Sequence, residues 1–285
     1  MTAPLGRTLL VLGRVSNVPT VWSNCLAGWI LGGGGDPGRL LLVCAGATLV
    51  YIGGMYLNDA FDAGWDRQYR RERPIPSGAI AASIVWAIGL ALAVGGTLLL
   101  ASLGTAVAYR AAALLAAVVV YDAVHKRVPF SPVLMGLCRL LLVLTAAAAA
   151  RTGETPAARI AALALACYII GLSYLARRES LPGVLRFWPL LFLGAPIAAA
   201  AFLHGARAPV VVVGLSLVVL LWIGRSLRFA FDHGPRDIGR SVAALLAGIC
   251  LVDWLLVGPV PPSHGLLFVL FCAAALLFQR TVPAT

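Results

Sequence analysis

Apolar runs of about 20 residues recur along the whole of this chain, and nothing else in it restricts the fold so strongly. A helix of that length crosses the roughly 30 Å of hydrocarbon in a bilayer. Length and spacing predict spans at residues 15–34, 39–58, 79–102, 104–124, 131–151, 157–176, 186–204, 208–229, 239–258 and 264–280. Short loops marked by Gly and Pro separate them, such as "GGGGDPG" at 32–38 and "GPVPPSHG" at 258–265. Only 12% of the residues are charged, against roughly a quarter in soluble domains, and the mean hydropathy is +0.93. The expectation is an all-α, polytopic transmembrane helical bundle forming a single domain over 1–285.

The net charge of +11 does not point to nucleic acid, because the basic residues sit at the ends of apolar runs rather than in a basic domain. Their placement reads as topology. One set of loops carries Arg67, Arg70, Arg71, Arg73, Lys126, Arg127, Arg177, Arg178, Arg186, Arg225, Arg228, Arg236 and Arg240. The opposite loops carry only Arg39, Arg110, Arg151, Arg159 and Arg207. The positive-inside rule then predicts a cytoplasmic N-terminus, with Arg280 on the cytoplasmic side, and the expected location is multi-pass in a bacterial inner membrane. No cleavable signal is expected, since Arg7 and Arg14 interrupt any apolar h-region. Cys25, Cys44, Cys138, Cys167, Cys250 and Cys272 all fall in apolar runs without metal-binding spacing and read as packing residues.

The end of the second run breaks the apolar pattern. "NDAFDAGWD", residues 58–66, holds three of the chain's 11 acidic residues behind an asparagine. At about 100° per residue, Asp59, Asp62 and Asp66 fall within an arc of roughly 60° if the helix continues. Carboxylates so close repel one another unless a cation neutralises them. An all-oxygen set suits a hard ion such as Mg²⁺, which keeps waters and bridges carboxylates to phosphates. Asn58 adds an amide able to fix a carboxylate or a metal-bound water. The next segment, "RQYRRERPIPSG" at 67–78, supplies guanidinium groups suited to phosphate. The plainer alternative is a solvated helix end whose aspartates pair with these arginines.

These residues resemble the UbiA superfamily of intramembrane prenyltransferases. "NDAFDAGWD" fits that family's NDxxDxxxD pattern at the end of the second helix, and "RPIPSG" fits the "RPLPSG"-like loop that follows. "YDAVHKRVPFSPVLMGLCR" at 121–139 looks like the Tyr…Lys-Arg segment before helix five, with Lys126 one residue further from Tyr121 than usual. "RVSNVPTVWSNCLAG" resembles helix one, with Asn24 as its cavity-facing asparagine. The resemblance covers spans one to nine and leaves a tenth outside it. It implies transfer of an isoprenyl group from an allylic diphosphate to an acceptor that the sequence does not identify. Catalytic candidates are then Asp59, Asp62, Asp66, Lys126 and Tyr121. Diphosphate contacts are expected from Asn58, Arg73, Arg127, Arg177, Arg178 and Asn24. Mg²⁺ ligands are expected from Asp59, Asp62, Asp66 and Glu179.

The chain departs from the family where a second aspartate motif is usual. Residues 168–180, "YIIGLSYLARRES", contain no Asp. With "YDAVHKR" and "MGLCR", this resembles the EboC-like branch. Either Glu179 holds a second ion, or Arg177 and Arg178 neutralise the diphosphate instead, the reading we favour. Tyr121, Tyr174 and Trp22 are candidates for stabilising an allylic cation, and Asp122 for supporting the site. Asp253 is expected near the far end of span nine, within reach of water and outside the site. Asp232 and Asp237 are expected as solvated loop charges. His125, His204, His233 and His264 form no expected ligand cluster. Two rival functions stay open: a terpene cyclase of the same type, and a non-catalytic carrier of lipid diphosphates. A CDP-alcohol phosphotransferase is excluded by the missing DGxxAR signature.

Overall fold

A computed structural model describes residues 4–177, 188–231 and 237–284. Arg178, Glu179, Arg186, Asp232, His233 and Arg236 lie outside the described residues. Within them the chain is α-helical with short 3₁₀ turns, and each of the ten apolar segments predicted from sequence is helical.

A short helix α1 (Leu5–Leu12) precedes the first expected span and packs Leu12 and Leu9 against Tyr56 and its neighbours. After a 3₁₀ turn at Val15–Asn17 come α2 (Val18–Leu31) and α3 (Pro37–Tyr69). Asp36 caps α3 by accepting from the Gly38 N–H at 3.0 Å, with Pro37 in the first turn. The bundle continues with α4 (Ala82–Ala101), α5 (Thr105–Val124), α6 (Ser131–Ala149) and α7 (Pro156–Arg177). A 3₁₀ segment, Trp188–Gly194, runs into α8 (Ala195–His204), and α9 (Pro209–Phe231) follows. The expected ninth span is two helices, α10 (Ile238–Ala247) and α11 (Ile249–Val257), joined at Gly248, before α12 (Pro262–Phe278).

Among the described residues, seven segments are long and apolar enough to cross a membrane, counting α10 and α11 together, while Trp188–His204 and Pro262–Phe278 are shorter apolar helices. Leu98, Phe202, Val210 and Leu221 lie on the outside, each more than 60% exposed. A surface this apolar is stable against lipid, not water.

Two apolar cores share α6 as a common wall. Leu141, Leu142 and Ala146 pack with residues of α2, α3 and α5. Val143 and Leu144 pack with residues of α7, α9, α10 and α11. Helices approach closely where small residues meet, as is usual when lipid supplies no hydrophobic drive between helices. At the α3–α4 contact, a Cβ on Gly96 would lie 2.6 Å from the Gly46 carbonyl oxygen, and one on Gly53 2.6 Å from the Ala93 nitrogen.

Candidate active site

The C-terminal third of α3 carries the acidic motif beyond the expected end of the span. The 33-residue helix is roughly 50 Å long and runs on to Tyr69. Asp59, Asp62 and Asp66 are all buried, as is Asn58. Burial of carboxylates requires partners, and basic side chains from three separate segments supply them to Asp59 and Asp62. Arg14 Nη2 and Arg73 Nη1 lie 3.5 and 3.4 Å from Asp59 Oδ1. Lys126 Nζ and His125 Nε2 lie 3.2 and 3.3 Å from Asp62 Oδ2. Asn58 accepts from Arg14 at 3.5 Å and donates to Asp122 Oδ1 at 2.9 Å. Lys126 also sits 4.2 Å above the Trp65 ring, and His125 stacks on Tyr121 with centroids 4.9 Å apart.

A chamber of about 370 Å³ opens beside this cluster. Its mouth presents Asp62, Asp66, Arg14, Arg73, Lys126 and Arg177. Arg177 donates to the Val128 carbonyl at 2.7 Å and to Ser131 Oγ at 3.2 Å, which ties the end of α7 to the start of α6. Further in, Met55, Met135, Ile169, Leu172 and Leu246 make the walls apolar. In the loop after α3, burial and then the neighbouring Arg14 charge draw the Arg73 guanidinium below its ordinary pKa, against the pull of Asp59. Two guanidinium groups sharing the single carboxylate of Asp59 leave N–H donors suited to a further anion.

The structure gathers most of the expected site residues but not all. Asn58, Asp62, Asp66, Arg73, Tyr121, Lys126 and Arg177 line the chamber, and Asp59 touches two of its cations. Arg127 is exposed and does not line it. Asn24 is fully buried behind the chamber, where it accepts from Arg139 at 2.7 Å and donates to Asp253 at 2.7 Å. Its expected contact with diphosphate is therefore replaced by a bracing role. Asp253 is only 1% exposed, away from the water expected for it, and also accepts from Ser23. Trp22 is partly exposed and gives its indole N–H to Thr48 at 2.9 Å, so neither it nor Tyr174 lines the chamber. Asp237 caps α10 by accepting from the Arg240 N–H at 2.8 Å.

Three site residues carried no such role in the sequence. Arg14 counted only as a topological charge, and His125 only as a histidine near a loop. Arg139 had a visible signal, being a charged residue in the interior of the fifth apolar run.

The convergence of three carboxylates on one ion is a weaker feature than their spacing suggests. Among the described residues, no three His, Cys, Asp or Glu side chains gather closely enough to hold a metal by themselves. Asp59 and Asp62 face cations instead. The donor set nevertheless fits Mg²⁺, which takes one or two carboxylates and completes its shell with phosphate oxygens and water.

The fold and this site define a helical membrane protein with a polar-mouthed, apolar-walled chamber. The UbiA prenyltransferase family model matches residues 16–249, and the chain belongs to that family. Three solved structures share its fold. A digeranylgeranylglyceryl phosphate synthase is 17% identical with a TM-score of 0.64, covering 89% of this chain and 97% of its own. The apo UbiA homologue from Aeropyrum pernix K1 is 20% identical with a TM-score of 0.59, covering 82% and 94%. The UbiA homologue from Archaeoglobus fulgidus bound to GPP and Mg²⁺ is 13% identical with a TM-score of 0.64, covering 96% and 99%. No curated protein matches the chain.

Proposed function

We propose that this chain is a Mg²⁺-dependent intramembrane prenyltransferase that moves an isoprenyl group from an allylic diphosphate to an acceptor. The observation that carries the reading is the chamber's division into a mouth of mixed charge and walls of hydrocarbon. A diphosphate needs the first and an isoprenyl chain the second. The GPP and Mg²⁺ held by the Archaeoglobus homologue support the same assignment.

Arg14, Arg73, Lys126 and Arg177 bind the diphosphate, with the N-terminal end of α6 at Ser131 adding its positive dipole. Asp62 and Asp66, with Asp59 beside them, are the residues that would hold Mg²⁺. An ion bound there would supply Lewis-acid stabilisation of the leaving group. The bond between C1 of the isoprenyl chain and the bridging oxygen breaks, and its electron pair leaves on the diphosphate. Arg73 and Lys126 stabilise that charge as it develops. The apolar walls keep water from the allylic cation, and Tyr51 and Tyr121, which line the chamber, would add a cation–π attraction of about 2 kcal/mol when desolvated. The acceptor then bonds to C1 and loses its proton to water at the mouth. Following the positive-inside rule, the mouth opens to the cytoplasm.

The test is release of diphosphate from GPP, farnesyl or geranylgeranyl diphosphate by the purified chain with a metabolite extract. Product formation that EDTA abolishes and Mg²⁺ restores is the expected outcome. Turnover indifferent to EDTA removes the metal from the reading. Tight Mg²⁺-dependent donor binding without any product favours the lipid-diphosphate carrier.

A further inference from the structure

Beneath the charged mouth, the chamber ends on a polar surface that donor activation does not use. Arg139 lies eight residues beyond Ser131 on α6, about 12 Å deeper along the helix axis. It lines the chamber although its side chain is only 8% exposed. Its Nη1 donates to Asn24 Oδ1 at 2.7 Å and its Nη2 to Thr20 Oγ1 at 3.2 Å. Asn24 in turn donates to Asp253 at 2.7 Å, so a carboxylate balances the guanidinium charge across one amide. A guanidinium has five N–H groups, and these bonds use two.

Asn17 lines the same chamber at 4% exposure. Its Nδ2 donates to the Ala284 carbonyl at 3.0 Å, but its Oδ1 is buried without a partner. The chamber therefore offers unspent donors on Arg139, whereas the Asn17 oxygen is closed off from it. Hydrocarbon pressed against the Arg139 donors leaves them unpaired, at about 1–3 kcal/mol apiece. Met55, Met135, Ile169 and Leu172 suit an isoprenyl tail, and this surface does not.

We propose that Arg139, braced by Thr20, Asn24 and Asp253, is the acceptor subsite, and that it recognises a carboxylate or carbonyl oxygen on a small acceptor. The inference rests on the prenyltransferase reading and narrows it. A cyclase, whose substrate carries no second polar group, has no use for such a surface.

Binding in nanodiscs tests it, with benzoate and acetophenone as oxygen-bearing probes and ethylbenzene as their hydrocarbon counterpart. Each is titrated with and without geranyl thiolodiphosphate and Mg²⁺, whose own affinity is measured separately. At least one oxygen-bearing probe should bind wild type about tenfold or more tightly than ethylbenzene, which corresponds to one hydrogen-bonded group left unpaired. Benzoate alone identifies a carboxylate, and acetophenone alone or both a carbonyl oxygen. Arg139→Met should lose that preference while the donor analogue binds within about twofold of wild type. Arg139→Lys, which keeps the charge but not the planar fork, should bind the preferred probe several-fold more weakly than wild type. An Arg139→Met protein with the wild-type preference, or a wild type binding ethylbenzene equally well, overturns the proposal. Should Arg139→Met fail to fold, undiminished probe binding by Arg139→Lys overturns it. Failure of wild type to bind the donor analogue instead strikes the prenyltransferase reading, since the probe titrations run without it.

Discussion

Arg14 has φ of 41°, the only positive φ outside glycine among the described residues. A non-glycine side chain in the left-handed region costs about 1–2 kcal/mol. That conformation turns the chain from α1 into α2 and brings the guanidinium to Asn58 and Asp59. Arg14→Gly should therefore keep its melting temperature within a few degrees, because relief of strain offsets the lost ion pair. Its diphosphate release should fall about tenfold or more. Comparing thermal unfolding with turnover in one detergent separates the two effects; a parallel loss of both would show that Arg14 only holds the fold. Asp62→Asn should keep much of the contact with His125 and Lys126 yet reduce Mg²⁺-dependent turnover on the order of a hundredfold. Turnover near wild type in that variant would move the metal to Asp59 and Asp66.

Among the elements, α3 shows why a span predicted from hydropathy can end early. The expected boundary was residue 58, where charge begins. The helix instead runs to Tyr69, because Arg14, Arg73, His125 and Lys126 satisfy carboxylates that hydropathy counts as a reason to stop. The pairing of α3 with α4 makes a sharp prediction from two adjacent glycines. A Cβ on Gly96 meets the Gly46 carbonyl oxygen at 2.6 Å and the Val50 nitrogen at 2.8 Å, whereas one on Gly95 meets nothing within 4 Å. Gly96→Ala should destabilise the protein by about 1–3 kcal/mol, as overpacking does. Gly95→Ala should be neutral or stabilising by up to about 1 kcal/mol, the helix-propensity gain. Equal melting temperatures in detergent for the two variants would contradict the close α3–α4 approach.

At the scale of the whole molecule, the distribution of basic residues predicts which way the chamber faces. Its mouth is formed where α3, α5 and α7 end and α6 begins, the side with the excess of Lys and Arg. Glu154 lies at the other end of α6 and α7, paired with Arg110 and 3.5 Å from Arg159. In intact cells, a membrane-impermeant maleimide should label Arg159→Cys and spare Arg71→Cys, and inverted vesicles should reverse the pattern. The opposite pattern would put the mouth outside.

The sequence by itself determined the helical membrane fold, because an apolar run of bilayer length has few other stable states. It also determined the acidic end of α3 and its neighbouring arginines, since their spacing is local and one helix is enough to align them. Only the tertiary structure decided which charges meet. His125 and Lys126 reach Asp62 from α5's end, Arg14 reaches Asp59 from a strained turn, and Asn24 turns from the chamber to brace Arg139 and Asp253. These pairings join residues 45 to 229 positions apart. Helix periodicity fixes which side of a helix a residue occupies, but the neighbour on that side is set by how the helices pack.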